Sequence, residues 1–138
     1  MCVRSAMLYA NETWALRIED LRRLERNEHR MLRWIAGIAL KDQKTNDEVP
    51  QLFKLQPIQE TIRRNRLRWF GHVKRKKPED GVKKEHDLVV DGKRSKGRPR
   101  KTWDEVIKTD MKSRGLTCDM AQNRAAWKAA IRFKMSNP

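Results

Sequence analysis

Guanidinium and ammonium groups are the chemistry this chain offers in quantity. Arg63, Arg64, Arg66 and Arg68 stand close together, and Lys74, Arg75, Lys76 and Lys77 follow about two helical turns later. No Asp or Glu occurs from Thr61 to Pro78. A second group, Lys93, Arg94, Lys96, Arg98, Arg100 and Lys101, occupies a segment that also holds Gly92, Gly97 and Pro99. Arginine meets phosphate oxygens through a planar fork and lysine as a compact point charge. Such groups in such numbers suit contact with the backbone of a polyanion, not bond cleavage. Trp69, Phe70 and Val73 lie within the first group. Trp69 is expected to pack in the core, its competing use being a platform for a base.

The charge distribution sharpens this. Of 138 residues, 33 are Lys or Arg and 18 are Asp or Glu, a net charge of +15. Residues 1–60 carry ten basic and nine acidic groups, residues 61–101 carry sixteen and five, and residues 102–138 carry seven and four. The excess is therefore concentrated in the middle of the chain, which is the electrostatic footprint of a nucleic-acid partner. With 38% hydrophobic residues the core is expected to be thin, with the five Trp residues supplying much of it.

Catalytic patterns are missing. No Ser stands in a Gly-x-Ser-x-Gly elbow, and no Gly-rich loop precedes Lys-Ser or Lys-Thr. The acidic pairs Glu19–Asp20 and Glu79–Asp80 fall at a helix start and in a loop, not in apolar settings that would shift a pKa or hold two metal ions. Cys2 and Cys118 do not combine with His29, His72 or His86 at metal-ligand spacing. No catalytic residue, metal or cofactor is expected, and the chain is not expected to be an enzyme. No run of eighteen apolar residues exists, so no membrane partner is expected. The opening MCVRSAMLYA is short and polar for a secretory signal. Two isolated cysteines in a Lys-rich chain fit a reducing intracellular compartment, nucleus or cytoplasm.

The elements that must hold the basic groups read as helices. The fold expected is mainly α: a small domain of about five helices, a short β-hairpin in the basic connection, and an orphan N-terminal strand. Cys2 to Leu16, with Val3, Tyr9, Thr13 and Trp14, reads as extended. Over residues 18–38, Ile18, Leu21, Leu24, Glu28, Met31, Ile35 and Ile38 form a helical stripe that only Glu28 interrupts. Its other face carries Arg22, Arg23, Arg26, Arg30 and Arg33, much of their charge balanced by Glu19, Asp20, Glu25 and Glu28 at helical spacing, and is expected to be a solvated face. Gly37 marks its stop. A short helix follows, capped by Thr45 with Glu48 or by Asp47. Pro57 opens the basic helix, with Ile58, Ile62, Trp69 and Val73 on one stripe, Leu67 and Phe70 beside it, and Asn65–Arg66 as an interruption. Strands at 86–90 and 93–96 would flank the Asp91–Gly92 turn. Thr102 and Glu105 have capping-box spacing for a helix ending at Gly115, and Thr117 would cap the last helix, with Ala121, Ala125, Trp127 and Ile131 inside. LRWIAG at 32–37 echoes LRWFG at 67–71, without a third copy that would make a repeat.

Taken in order, LYANETWAL (8–16), RRLERNEHRMLRWIAGI (22–38), RLRWFGHVKR (66–75), GRPRKTWDEV (97–106) and NRAAW (123–127) resemble the C-terminal region of the reverse transcriptases of non-LTR (LINE-type) retrotransposons, over about Leu8 to Phe133. The resemblance implies that Glu12–Thr13–Trp14 closes a polymerase palm. It makes 1–16 the end of a palm-like strand segment, 17–77 a thumb-like helical region, 78–101 a basic linker or hairpin, and 102–138 a C-terminal helical pair. The palm and fingers would lie upstream of this chain. Tyr9–Ala10–Asn11 stands where that family usually has Tyr-Gly-Ser, and the family's polymerase Asp-Asp pair is absent from this sequence. The resemblance therefore carries over nucleic-acid handling and not RNA-directed DNA polymerase activity.

The leading expectation is a non-catalytic fragment that binds RNA, RNA–DNA or DNA duplex through the phosphates. Arg63, Arg64, Arg66, Arg68 and Lys74 to Lys77 would form the helical surface, and Lys93, Arg94, Lys96, Arg98, Arg100 and Lys101 a basic arm. A second expectation is an architectural DNA binder. KGRPRK (96–101) resembles the AT-hook, whose Arg-Gly-Arg-Pro core enters narrow A·T-rich minor grooves, with Lys96 here in place of the first arginine. A third is a structural relic of the parent polymerase that binds nothing.

Overall fold

The computed structural model describes residues 2–89, 92, 96, 97 and 101–132. The protein is mainly α-helical, as expected, with seven α-helices and no strand among the described residues. They are α1 (Cys2–Met7), α2 (Ile18–Ile35), α3 (Glu48–Leu52), α4 (Ile58–Lys74), α5 (Gly81–Asp87), α6 (Trp103–Lys112) and α7 (Arg124–Ala130). Of the two helices beyond the five expected, α1 stands where a strand was expected, and α5 lies in the basic connection and ends inside the strand expected at 86–90. The described residues form two compact units: unit 1 takes those up to Asn11 together with Leu16–Arg63, and unit 2 takes Glu12–Ala15 and the described residues from Arg64 onward.

In unit 1 the expected N-terminal strand is corrected to a helix followed by a 3-10 turn at Asn11–Thr13. Strand preference in short segments is weak and yields to tertiary context. Here that context is Arg4: its Nε lies 3.2 Å from Glu28 Oε1 of α2, and its Nη2 donates to the Gln56 carbonyl and to Thr61 Oγ1. Glu28, expected to break the α2 stripe, is thus a buried member of it. Burial pushes its carboxyl above the ordinary carboxylate value, against the pull of Arg4. The apolar core of this unit is small: Leu32, Val49, Ile58 and Ile62 are buried, while Ile18, Trp34 and Ile35 are exposed. Only Trp127 of the five tryptophans is fully buried, so the expectation that they build much of the core is corrected. Thr45 and Glu48 exchange reciprocal bonds, Glu48 N donating to Thr45 Oγ1 and Thr45 N to Glu48 Oε2, just ahead of the assigned start of α3 after Asp47.

In unit 2 the core gathers Leu67 and Phe70 from α4, Ile107 and Met111 from α6, Ala121, and Trp127 and Ile131 from the C-terminal helical segment, with Trp103 and Leu116 packed against them. The Phe70 ring is tilted against both Trp103 and Trp127, at 6.3 and 6.1 Å between centroids. Both indole N–H groups are used: Trp127 donates to the Leu67 carbonyl at 2.9 Å and Trp103 to the Glu12 carbonyl at 2.8 Å. Trp127 reaches the α4 backbone because residue 71 is glycine; a Cβ there would lie 2.6 Å from Trp127 Cδ1. The Thr102–Glu105 capping box forms as expected. At the other end of α6 the Leu116 N–H returns to the Met111 carbonyl and the Gly115 N–H to that of Lys112, with Gly115 at φ 62°.

Two local expectations fail here. The strand at 86–90 is replaced through Asp87 by α5, whose start is capped by Asp80 Oδ1 accepting from Val82 N, and whose Lys83 and Asp87 pair at 2.6 Å. Lys and Glu favour helix over strand, and an Asp cap decides the short contest. Most of the partner strand, 93–96, lies outside the described residues. The last helix is capped not by Thr117 but by Asn123, whose Oδ1 accepts from Ala125 N and Ala126 N; Asp119–Gln122 is a separate 3-10 turn.

Candidate nucleic-acid interface

α4 splits its arginines by helical face. Arg66 points into unit 2, where it is 5% exposed, and its Nε and Nη2 donate to Asp110 Oδ2 at 2.9 and 2.7 Å. The expectation that Arg66 contacts phosphate is corrected: its charge is buried and already neutralised by a residue 44 positions away. What looked like an interruption of the packing stripe is its polar member. Trp69, expected on that stripe, is only half-buried, and Arg66, Phe70 and Val73 take the inward positions.

Arg64, Arg68 and His72 follow one another at four residues on a different face of the same helix, and Arg75, one residue past its end, continues the series three residues on. α7 and its end carry a matching series, Arg124, Lys128 and Arg132, each four apart. Both series line one cleft of about 840 Å³ in unit 2, floored in part by Trp127 and Ile131. Six Lys or Arg side chains line it against one carboxylate residue, Glu12, so the cleft holds a strongly positive field. Trp69 also lines it, its ring stacked on His72 with centroids 5.3 Å apart and planes at 24°.

Arg75 is a cation drawn partly out of water with a like charge nearby. Its Nη1 donates to the Ala121 carbonyl at 2.6 Å, and burial, with the nearby Arg124 charge adding to it, holds its guanidinium below the ordinary value. An anion in the cleft would offset both effects.

The remaining expected contacts scatter. Arg63, in unit 1, pairs with Glu60 one turn back. Lys74 sits 5.4 Å from the Phe70 ring centroid, Lys76 pairs with Asp80 at 2.8 Å, and Lys77 is exposed. Lys96 and Lys101 are exposed. Lys93, Arg94, Arg98 and Arg100, and with them the core of the KGRPRK arm, lie outside the described residues. Of the expected helical residues, the cleft unites Arg64, Arg68 and Arg75. It adds Arg124, Lys128 and Arg132, which sequence reasoning passed over although their four-residue spacing was a usable signal.

Unit 1 has a shallower depression lined by Glu19, Arg22, Arg23, Glu25, Arg26, His29 and Asn46, where acids and bases alternate. Among the described residues no group of three or more His, Cys, Asp or Glu could hold a metal ion, and no helix is long and apolar enough to cross a membrane. Compared with known proteins, the chain matches no family model, no curated protein and no solved structure.

Proposed function

We propose that this chain is a non-catalytic, nucleic-acid-binding piece of a non-LTR retrotransposon reverse transcriptase, akin to its thumb and C-terminal region, that grips RNA or an RNA–DNA hybrid by the phosphates. The observation that carries the binding part is the cleft of unit 2, where two basic series four residues apart meet with one carboxylate residue among them. The parentage rests on the ordered motifs from LYANETWAL to NRAAW. An intracellular site of action, nuclear or cytoplasmic, goes with that partner.

The test is fluorescence anisotropy of a labelled RNA–DNA primer-template across a salt series. With about five phosphates neutralised, log affinity falls against log salt with a slope of roughly −4.5. Arg68→Glu with Arg124→Glu lowers both the affinity and the slope. Absence of binding at low salt, or binding that ignores both charge reversals, overturns the proposal.

A further inference from the structure

We infer that the cleft of unit 2 seats an unpaired nucleotide, its base stacked at Trp69 and its phosphates held by Arg68, Arg75 and Arg124. This rests on the nucleic-acid reading above and narrows it. The preferred ligand is single-stranded nucleic acid, or a single-stranded overhang of a hybrid, rather than blunt duplex.

Three features point the same way. The first is size. A cleft of about 840 Å³ falls in the range that encloses one small organic ligand, the scale of one or two nucleotides. Half open to solvent, it admits a nucleotide or two of a strand that runs on past it and is far smaller than a turn of duplex.

The second is the aromatic. Phe70 and Trp127 are buried in the core, whereas Trp69 is half-buried and lines the cleft beside Arg68 and Arg75. His72 backs the indole nearly in parallel, which fixes its plane at little further entropic cost to a ligand. In a duplex the bases stack on one another, and an indole set among phosphate-binding groups has no partner. An unpaired base supplies one, since every base has a π-face.

The third is the geometry of charge. Arg68, Arg124 and Lys128 make no ion pair among the described residues. They line the cleft together with the indole, so backbone and base of one strand can be met at once. Arg75 is held in place by the Ala121 carbonyl, which presets one cation before the ligand arrives.

The full chain is titrated with three fluorescein-labelled probes of equal length: oligo(U) RNA, oligo(dT) DNA and a blunt RNA–DNA hybrid. Wild type binds at least one single strand more tightly than the blunt hybrid at matched salt. Trp69→Leu weakens single-strand binding about tenfold, the loss of one base stack, and leaves the blunt hybrid within about twofold. Trp69→Phe, which keeps a π-face, restores most of the loss and still folds if Leu does not. Either single strand satisfies the inference, and the gap between RNA and DNA reports whether the 2′-hydroxyl is read. Equal binding of blunt hybrid and single strands, or Trp69→Leu weakening all probes alike or none, overturns it while leaving phosphate binding intact. Failure of every probe to bind overturns the proposed function itself.

Discussion

In unit 1, Arg22, Arg23 and Arg26 share their depression with Glu19 and Glu25; in unit 2, Arg68, Arg75, Arg124 and Lys128 share theirs with Glu12 alone. Both units are rich in arginine, so arginine content alone does not distinguish them. What distinguishes them is where the carboxylates lie. On α2 they occupy the same face as the arginines at helical spacing and cancel the field locally. In unit 2, Asp110 is drawn inward to neutralise Arg66, and the cations of the cleft share it with one carboxylate residue, Glu12. One buried ion pair thus sets Arg66 apart from Arg64 and Arg68, which line the cleft.

Each unit has such a pair, and they differ in quality. Arg66 places two N–H groups on one Asp110 oxygen, with both side chains almost wholly buried. Arg4 meets Glu28 at 3.2 Å, beside a carboxyl that burial already disfavours as an anion. Breaking the first leaves an uncompensated buried cation. Asp110→Ala is expected to cost about 3–5 kcal/mol and to melt unit 2, whereas Arg4→Ala in unit 1 costs about 1–2 kcal/mol. Urea denaturation followed by circular dichroism measures both; equal losses would erase the distinction.

Gly71 tests the packing side. In an exposed helix Gly→Ala gains up to about 1 kcal/mol. At Gly71 the added methyl meets the Trp127 indole, and the expected outcome is a net loss of about 1–3 kcal/mol by thermal melting. Gln59→Ala, exposed on the unit 1 part of the same helix, stays within about 0.5 kcal/mol. A stabilised Gly71→Ala would mean that Trp127 does not seat against the α4 backbone.

The electrostatic contrast predicts a smaller but more specific effect. Arg68→Glu with Arg124→Glu lowers affinity for an RNA–DNA hybrid by about tenfold, and Arg22→Glu with Arg26→Glu by no more than about twofold, in anisotropy at matched salt. Charge reversal at Arg66 is unsuitable for this purpose, because it would unfold the unit that it probes.

The long helices were legible because their burial is periodic: α2 and α4 were readable from three- and four-residue spacing, and α6 from Thr102, Glu105 and Gly115. α1 and α5 were not, because six or seven residues carry too little period to outweigh β-favouring side chains such as Val3. Pairing across 44 residues, as between Arg66 and Asp110, leaves no trace in local spacing, so Arg66 read as surface. The three arginines of the cleft foreseen on α4 and just past its end, Arg64, Arg68 and Arg75, were legible from the lack of acids between Thr61 and Pro78. Their partners Arg124, Lys128 and Arg132 were hidden by the Ala and Trp residues among them, which drew the last helix toward a purely packing role.

Acid should act on Glu28 of unit 1 and Asp87 of unit 2 with opposite sign. Asp87 in α5 is held down to about 2, chiefly by the hydrogen bond from Lys83 and then by that of His86. A lowered carboxylate pKa contributes stability above the ordinary value of 3.8, and that contribution drains away as pH falls from there through about 2. Glu28 in α2 is shifted up from 4.5 by burial, so its folded form holds the proton more tightly than its unfolded form. Its contribution is fully present below 4.5 and is lost as pH rises through the raised value. Asp87→Asn therefore flattens the acid loss of stability between about pH 4 and 2, and Glu28→Gln removes a gain that wild type shows as pH falls toward 4.5. Denaturant midpoints across pH 2–7 for the two variants measure both slopes. If both variants shift the profile in the same direction, Glu28 is not governed by its burial, and its pair with Arg4 is as well compensated as the one between Arg66 and Asp110.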